Sequence, residues 1–182
     1  MSENIVIFWN KKAKQHDGMP YEQHAHYAPP TAKQFIERIN CHRFIKHSDN
    51  ILIELPPLHS NEDEIILYYL NEGLQIRRDF NSQDAAWHIT IADIEEVHPN
   101  IFCVHDLIAT ITTHDNYSYQ LLHMDAFHYA FTHAFLPDNL YDKAMTSLAS
   151  LLNKLNQGTF SYDELDRLAD TYRSETEQVT PR

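Results

Sequence analysis

An α+β fold, a curled antiparallel β-sheet or barrel followed by C-terminal helices, is predicted by three features of this sequence. Runs rich in β-branched and aromatic residues fill the earlier part of the chain. Leucines at helical spacing fill the end. Only three glycines, Gly18, Gly73 and Gly158, are present, so each marks a turn or cap. Strands first and helices last is the order of an α+β domain, with helices on one side or end of the sheet.

Ile5 to Trp9 is a short apolar run and reads as a strand. Lys11 to Asp17 is polar and reaches Gly18, so it reads as a loop. Tyr21 to Tyr27 alternates and reads as a strand that Pro29-Pro30 ends. Thr31 and Gln34 form a capping box for a short helix over Phe35, Ile36 and Ile39. Arg43 to His47 and Ile51 to Leu55 are strands around Ser48-Asp49-Asn50. Glu64 to Leu70 and Leu74 to Phe80 flank Asn71-Glu72-Gly73 as a bulged hairpin. Ala85 to Ile91 is a strand with Trp87, Ile89 and Ile91 on one face and His88 and Thr90 on the other. Asp93 to His98 reads as a helical turn stopped by Pro99.

Ile101 to Thr113 is a long strand that pairs with Asn116 to Leu122 across His114-Asp115. The period then becomes helical. Asp125 caps a helix through Phe127, Ala130, Phe131 and Ala134. Pro137-Asp138 starts a second, with Leu140, Ala144, Leu148, Leu151, Leu152 and Leu155 as its apolar stripe and Gly158 as its stop. Ser161 and Glu164 form a capping box for a third, which runs to about Tyr172. This gives about six to eight strands in one domain over residues 1–173. Residues 174–182 read as a polar, disordered tail.

With 182 residues, 43% of them hydrophobic, the chain can build a core. No apolar run approaches the roughly 18 residues of a membrane span, and MSENIVIFWNKK is not a secretory signal. Cys41 and Cys103 form no paired motif and read as buried thiols, so a cytoplasmic setting is expected. The formal charge of −12 disfavours nucleic acid as a partner. It leaves room for a small phosphorylated ligand whose charge a metal offsets. GxGxxG, GxxxxGK[ST], HExxH, GxSxG and paired CxxC are absent from the sequence, which argues against the chemistries they serve.

Chemistry concentrates in His105, Asp106, His123, Asp125 and His128. If the hairpin pairs as read, Asp106 lies where pairing begins, and His123 and Asp125 lie where the partner strand ends. Ionised carboxylates supply hard oxygens and imidazole adds nitrogen, a donor set for a divalent cation. Asp125 also suits a cap without further duty, and His128 suits simple packing. Arg77 and Arg78, adjacent on a strand, point to opposite faces, so one of them can face a barrel interior and meet phosphate; the alternative is that both are solvated or paired with nearby acids. Lys11, Lys12 and Lys14 are further basic groups, and His24 and His26 share a strand face as a possible ligand pair.

The stretch HDLIATITTHDNYSYQLLHMDAF, followed by FLPDNLYDKAMTSLASLLNKLNQGTF, resembles the FomD-like barrel family. That family was long catalogued as a domain of unknown function and includes nucleoside tri- and diphosphatases. Asp106-Leu107, Leu121-Leu122, Asp125, Phe127, Leu140, Ala144, Leu151, Leu152, Gly158 and Phe160 follow the order of its motifs; KQHDGMPY is a further, short match. The resemblance implies a curled barrel with C-terminal helices and a Mg²⁺- or Mn²⁺-dependent attack of water on a nucleotide's terminal phosphate. Ile108 stands where the family has a second acid, and His123-Met124-Asp125-Ala126 where it has an Asp-x-Asp-Glu turn.

Three readings follow. The first is a metal-dependent phosphohydrolase of nucleoside di- or triphosphates or a related phosphorylated molecule. Asp106, Asp125, His105 and His123 would hold the metal, Asp106, Asp125 and His123 would serve catalysis, and Arg77 or Arg78 would contact phosphate. The second is a catalytically inactive module that binds a ligand or a protein. The third is a transition-metal-binding protein that uses its thirteen histidines.

Overall fold

The computed structural model describes residues 6–10, 43–56, 63–82, 86–114 and 118–178, with the backbone alone over 6–10 and 174–178. Its strands are β1 (Val6–Asn10), β2 (Arg43–Lys46), β3 (Ile51–Leu55), β4 (Glu64–Tyr69), β5 (Leu74–Asp79), β6 (His88–His98), β7 (Ile101–Thr113) and β8 (Tyr119–Leu122). Helices α1 (Met124–Thr132), α2 (Asp138–Asn156) and α3 (Tyr162–Gln178) follow. The strand and helix expected over 21–27 and after Thr31 lie outside the described residues. So do Lys11, Lys12, Lys14, His24, His26 and Cys41.

The strands form one curled sheet in the order β1-β7-β6-β5-β4-β3-β2, and β8 also pairs with β7. β2 to β7 run as successive antiparallel neighbours. At the β4–β5 turn Gly73 has φ 64°, the left-handed region, and its carbonyl accepts the Ala92 N–H at 2.8 Å. β1 is the exception: it pairs in parallel with the first part of β7.

The pleat sorts side chains into two sets. One face turns Ile53, Leu67, Ile76, Ile89, Ile91, Leu107, Ala109 and Ile111 toward the helices. There they meet Phe127, Ala130, Leu140, Ala144, Leu148, Leu151, Leu165 and Leu168. Each such Leu, Ile or Phe side chain contributes about 1.5–3 kcal/mol by leaving water. The other face carries a smaller cluster of Leu52, Ile66, Tyr68, Ala92, Phe102 and Val104.

Three local expectations are corrected. Residues 93–98 are not a helical turn but the far half of β6, paired with Ile101–His105. Cross-strand pairing outweighs local propensity there. The reversal falls instead on Pro99-Asn100, with Asn100 at φ 62° and its N–H bonded to Glu96 Oε1 at 2.9 Å. Asp125 is not the cap of α1: His123 holds that position, and Asp125 lies in the first turn, where its charge suits the helix dipole. α3 continues into the polar tail as far as Gln178. At its start the Glu164 N–H bonds to Ser161 Oγ at 3.3 Å, as a capping box requires. No helix among the described residues is long and apolar enough to cross a membrane.

Candidate functional site

β7 is longer than either strand on its outer edge. β1 covers Ile101–His105 and β8 covers Thr110–Thr113. Asp106–Ala109 lie between these pairings, and there the strand departs from regularity. Ala92 pairs with Asp106 and Thr90 with Thr110, so Ile91 alone opposes Leu107, Ile108 and Ala109. Ile108 takes φ 75°, a rare state for a β-branched residue, and its N–H donates to Asp106 Oδ1 at 2.6 Å. On the other side of the gap, Leu122 pairs with Thr110 and the chain passes directly into His123. His123 is left-handed at φ 63° and makes no side-chain cap bond. Asp125 follows in the first turn, and both side chains are exposed.

Asp106 lies on the face away from the helices, since it pairs with Ala92. That face is polar at its centre. One cross-strand row reads Tyr68, Gln75, Thr90, Thr110; the next reads Glu54, Ile66, Arg77, His88, Thr112. Tyr68 Oη donates to Glu54 Oε2. The ring Nδ1 of His88 lies 3.1 Å from Thr112 Oγ1, and the hydroxyls of Thr90 and Thr110 are 3.4 Å apart. Glu54, Gln75 and Thr112 are buried. The alternation of His88 and Thr90 against Trp87 and Ile89 is the one sequence signal for this face. Nothing local marks Glu54, Tyr68, Gln75, Thr110 or Thr112, because the rows exist only across strands.

The predicted site residues divide between the two faces. Arg77 shares the polar face, exposed and 3.2 Å from Glu64 Oε1. Arg78 points to the helices, with Nη1 2.5 Å from Asp166 Oδ1 and its guanidinium 5.2 Å from the ring centres of Phe80 and Trp87. It does not reach the face of Asp106. His105 does not join Asp106 either, because neighbouring strand residues alternate. It is buried, pairs across the sheet with Asp93, and sets Nε2 3.3 Å from Cys103 Sγ. Burial, and then Glu95 and Asp93, push the Cys103 thiol above its usual pKa. Lys143 of α2 bonds Asp93 Oδ1 at 2.9 Å; that bond holds its ammonium above the usual lysine range against the opposing effect of burial. His128 is exposed on α1. Among the described residues no group of three or more His, Cys, Asp or Glu side chains is placed to hold a metal ion.

No protein-family model and no curated protein matches the chain. Solved structures do. The phosphatase SC4828, crystallised with the non-hydrolysable nucleotide GPCP, aligns with a TM-score of 0.54 at 9% identity, over 68% of this chain and 76% of that one. FomD in complex with CDP aligns at 0.55 and 9% identity, over 69% of this chain and 81% of that one. A DUF402 protein of unknown function from Rhodococcus sp. RHA1 aligns at 0.55 and 11% identity, over 63% of this chain and 72% of that one. The curled sheet and C-terminal helices therefore have the fold of the FomD-like and DUF402 proteins, the family that the β7-to-α2 sequence resembles, in a divergent form.

Proposed function

We propose that the protein is a metal-dependent phosphohydrolase of nucleoside di- or triphosphates or a closely related phosphorylated small molecule. The observation that carries this reading is the gap on the edge of β7. Asp106 stands on one side of it, and His123 and Asp125 follow the last pair of β8 on the other. FomD and SC4828, which share the fold, were crystallised with the nucleotides CDP and GPCP.

Mg²⁺ and Mn²⁺ suit this donor set. Mg²⁺ is bound through one or two carboxylates together with substrate phosphates rather than in an all-protein cage. Asp106 and Asp125 are the carboxylates assigned to it. When bound, the ion would neutralise phosphate charge and lower the pKa of a bound water. The N-terminus of α1, without a side-chain cap, favours an anion beside it, and Asp125 is the charge the ion must offset there. His123, exposed at the same place, is the group to accept a proton from the attacking water. Arg77, on the same face as Asp106, is left to meet the more distant part of a charged ligand.

A phosphate-release assay over a nucleotide panel with Mg²⁺, Mn²⁺ and Co²⁺ tests the reading. Release above that of an Asp106→Ala/Asp125→Ala double variant is expected, and none above that control would refute it. Ile108, an apolar residue inside the gap, favours a second reading, a binding module without turnover. Under that reading nucleotides raise the melting temperature while no phosphate appears.

A further inference from the structure

Ile108 is held in its left-handed conformation from both directions along the strand. Its N–H donates to Asp106 Oδ1 at 2.6 Å, and its carbonyl accepts the hydroxyl of Thr110 at 3.3 Å. Left-handed backbone is unfavourable for a β-branched residue and persists only where neighbours fix it. Asp106 and Thr110 do so from the same face of the sheet. Their partners Ala92 and Thr90 lie on either side of Ile91, which turns toward the helices.

Thr110 has one hydroxyl hydrogen to give. With that hydrogen on the Ile108 carbonyl, the Thr90 hydroxyl, 3.4 Å away across the sheet, is the donor to Thr110 Oγ1. A chain of bonds thus runs from β6 through Thr110 to the bulge of β7. Thr110 is also the partner of Leu122, the last residue of β8, and His123 and Asp125 follow within three residues. It therefore joins both rims of the gap. Through Ile108 it is tied to Asp106, and through the β7–β8 ladder to the turn that carries His123 and Asp125. Groups that act on one ligand must be held within about 0.5 Å of the productive geometry, and a bulge re-aims the side chains that flank it.

We infer that Thr110 is a positioning residue, whose hydroxyl fixes the bulge at Ile108 and with it the separation of Asp106 from His123 and Asp125. This rests on the phosphohydrolase reading above and adds a group that acts through the backbone rather than on the ligand. Valine has the same shape but no hydroxyl to give the carbonyl.

Thr110→Val and Thr110→Ser, made in the full chain, test the assignment by exchange of the Ile108 amide without metal, calorimetric titration with Mn²⁺ and phosphate release. Thr110→Val should speed exchange at Ile108 by about tenfold or more, while amides of β3 and β4 keep their wild-type rates. It should weaken Mn²⁺ binding about tenfold and lower kcat by at least as much, with the nucleotide KM within about twofold of wild type. Thr110→Ser, which keeps the hydroxyl, should restore exchange, Mn²⁺ affinity and kcat. Thr110→Ala takes the place of the valine variant if that protein does not fold. A Thr110→Val protein with wild-type Mn²⁺ affinity and kcat overturns the assignment, whatever its exchange rate, and leaves the phosphohydrolase reading standing. A loss that Thr110→Ser shares in full does the same. A wild type that neither binds Mn²⁺ nor releases phosphate removes both.

Discussion

The carboxylate of Asp106 accepts a 2.6 Å hydrogen bond from the backbone N–H of Ile108. This side chain therefore ties the bulge of β7 at the edge of the gap. Asp106→Ala should lower stability by about 1–2 kcal/mol and abolish phosphate release. Asp106→Asn, which keeps an acceptor, should abolish release with most of the stability intact. Paired urea unfolding and phosphate assays separate the two effects.

Ile108 itself offers a gain-of-function test. Its φ of 75° disfavours a β-branched side chain and is better tolerated by Asp. Ile108→Asp should change stability by no more than about 1 kcal/mol, since backbone relief offsets lost apolar contact. With Mn²⁺ it should raise phosphate release by about tenfold. Unchanged turnover would count against Asp106 as a metal ligand.

Gly73 is required by two constraints at once. Its φ is 64°, and a Cβ there would come within 2.6 Å of the Ala92 carbonyl oxygen. Gly73→Ala should cost about 2–4 kcal/mol, read as a lower urea midpoint at constant slope.

The two adjacent arginines should behave differently. Arg78 is held between Asp166, Phe80 and Trp87 with its side chain 20% exposed, and Asp166 also accepts the Trp87 indole N–H at 3.1 Å. Arg78→Ala should lower stability by about 2 kcal/mol and shift tryptophan emission. Arg77, whose side chain is 54% exposed beside Glu64, should be replaceable by Ala within about 0.5 kcal/mol. Its loss should appear in ligand affinity. Thermal melts followed by fluorescence decide the first claim and titration the second.

Burial, then Glu164 and Glu72, raise the Tyr69 phenol above its ordinary value. The folded state thus holds this proton more tightly than the unfolded chain. The associated stability is complete below the unfolded tyrosine pKa of about 10 and declines as pH rises beyond it. Melting temperatures measured from pH 9 to 11 should fall, and Tyr69→Phe should flatten that fall.

Much of this architecture was legible because it is written locally. Gly73 names its turn, Gly158 its helix end, and Ser161 with Glu164 the start of α3. The alternation of β7 and the leucine period of α2 are equally plain. What was not legible depends on partners distant in the chain. Residues 93–98 look helical alone and become strand only beside 101–105. His105 and Asp106 look like one cluster in sequence, yet the pleat separates them. The polar rows of the opposite face are marked locally only by His88 and Thr90. The expected hairpin put Asp106, His123 and Asp125 at one edge, but neither the gap on β7 nor the role of β1 as its other boundary was visible.

That boundary bears on how the molecule assembles. Val6–Asn10 must find Ile101–His105 after β2 to β6 have been made between them. Parallel pairing over so long an interval carries a high loop-closure entropy. β8 and β1 dock on the same flank of β7 from opposite directions along the chain. The groups assigned to phosphate chemistry are brought to the gap by the local β7–β8 hairpin, and β1 supplies only the other boundary of that gap.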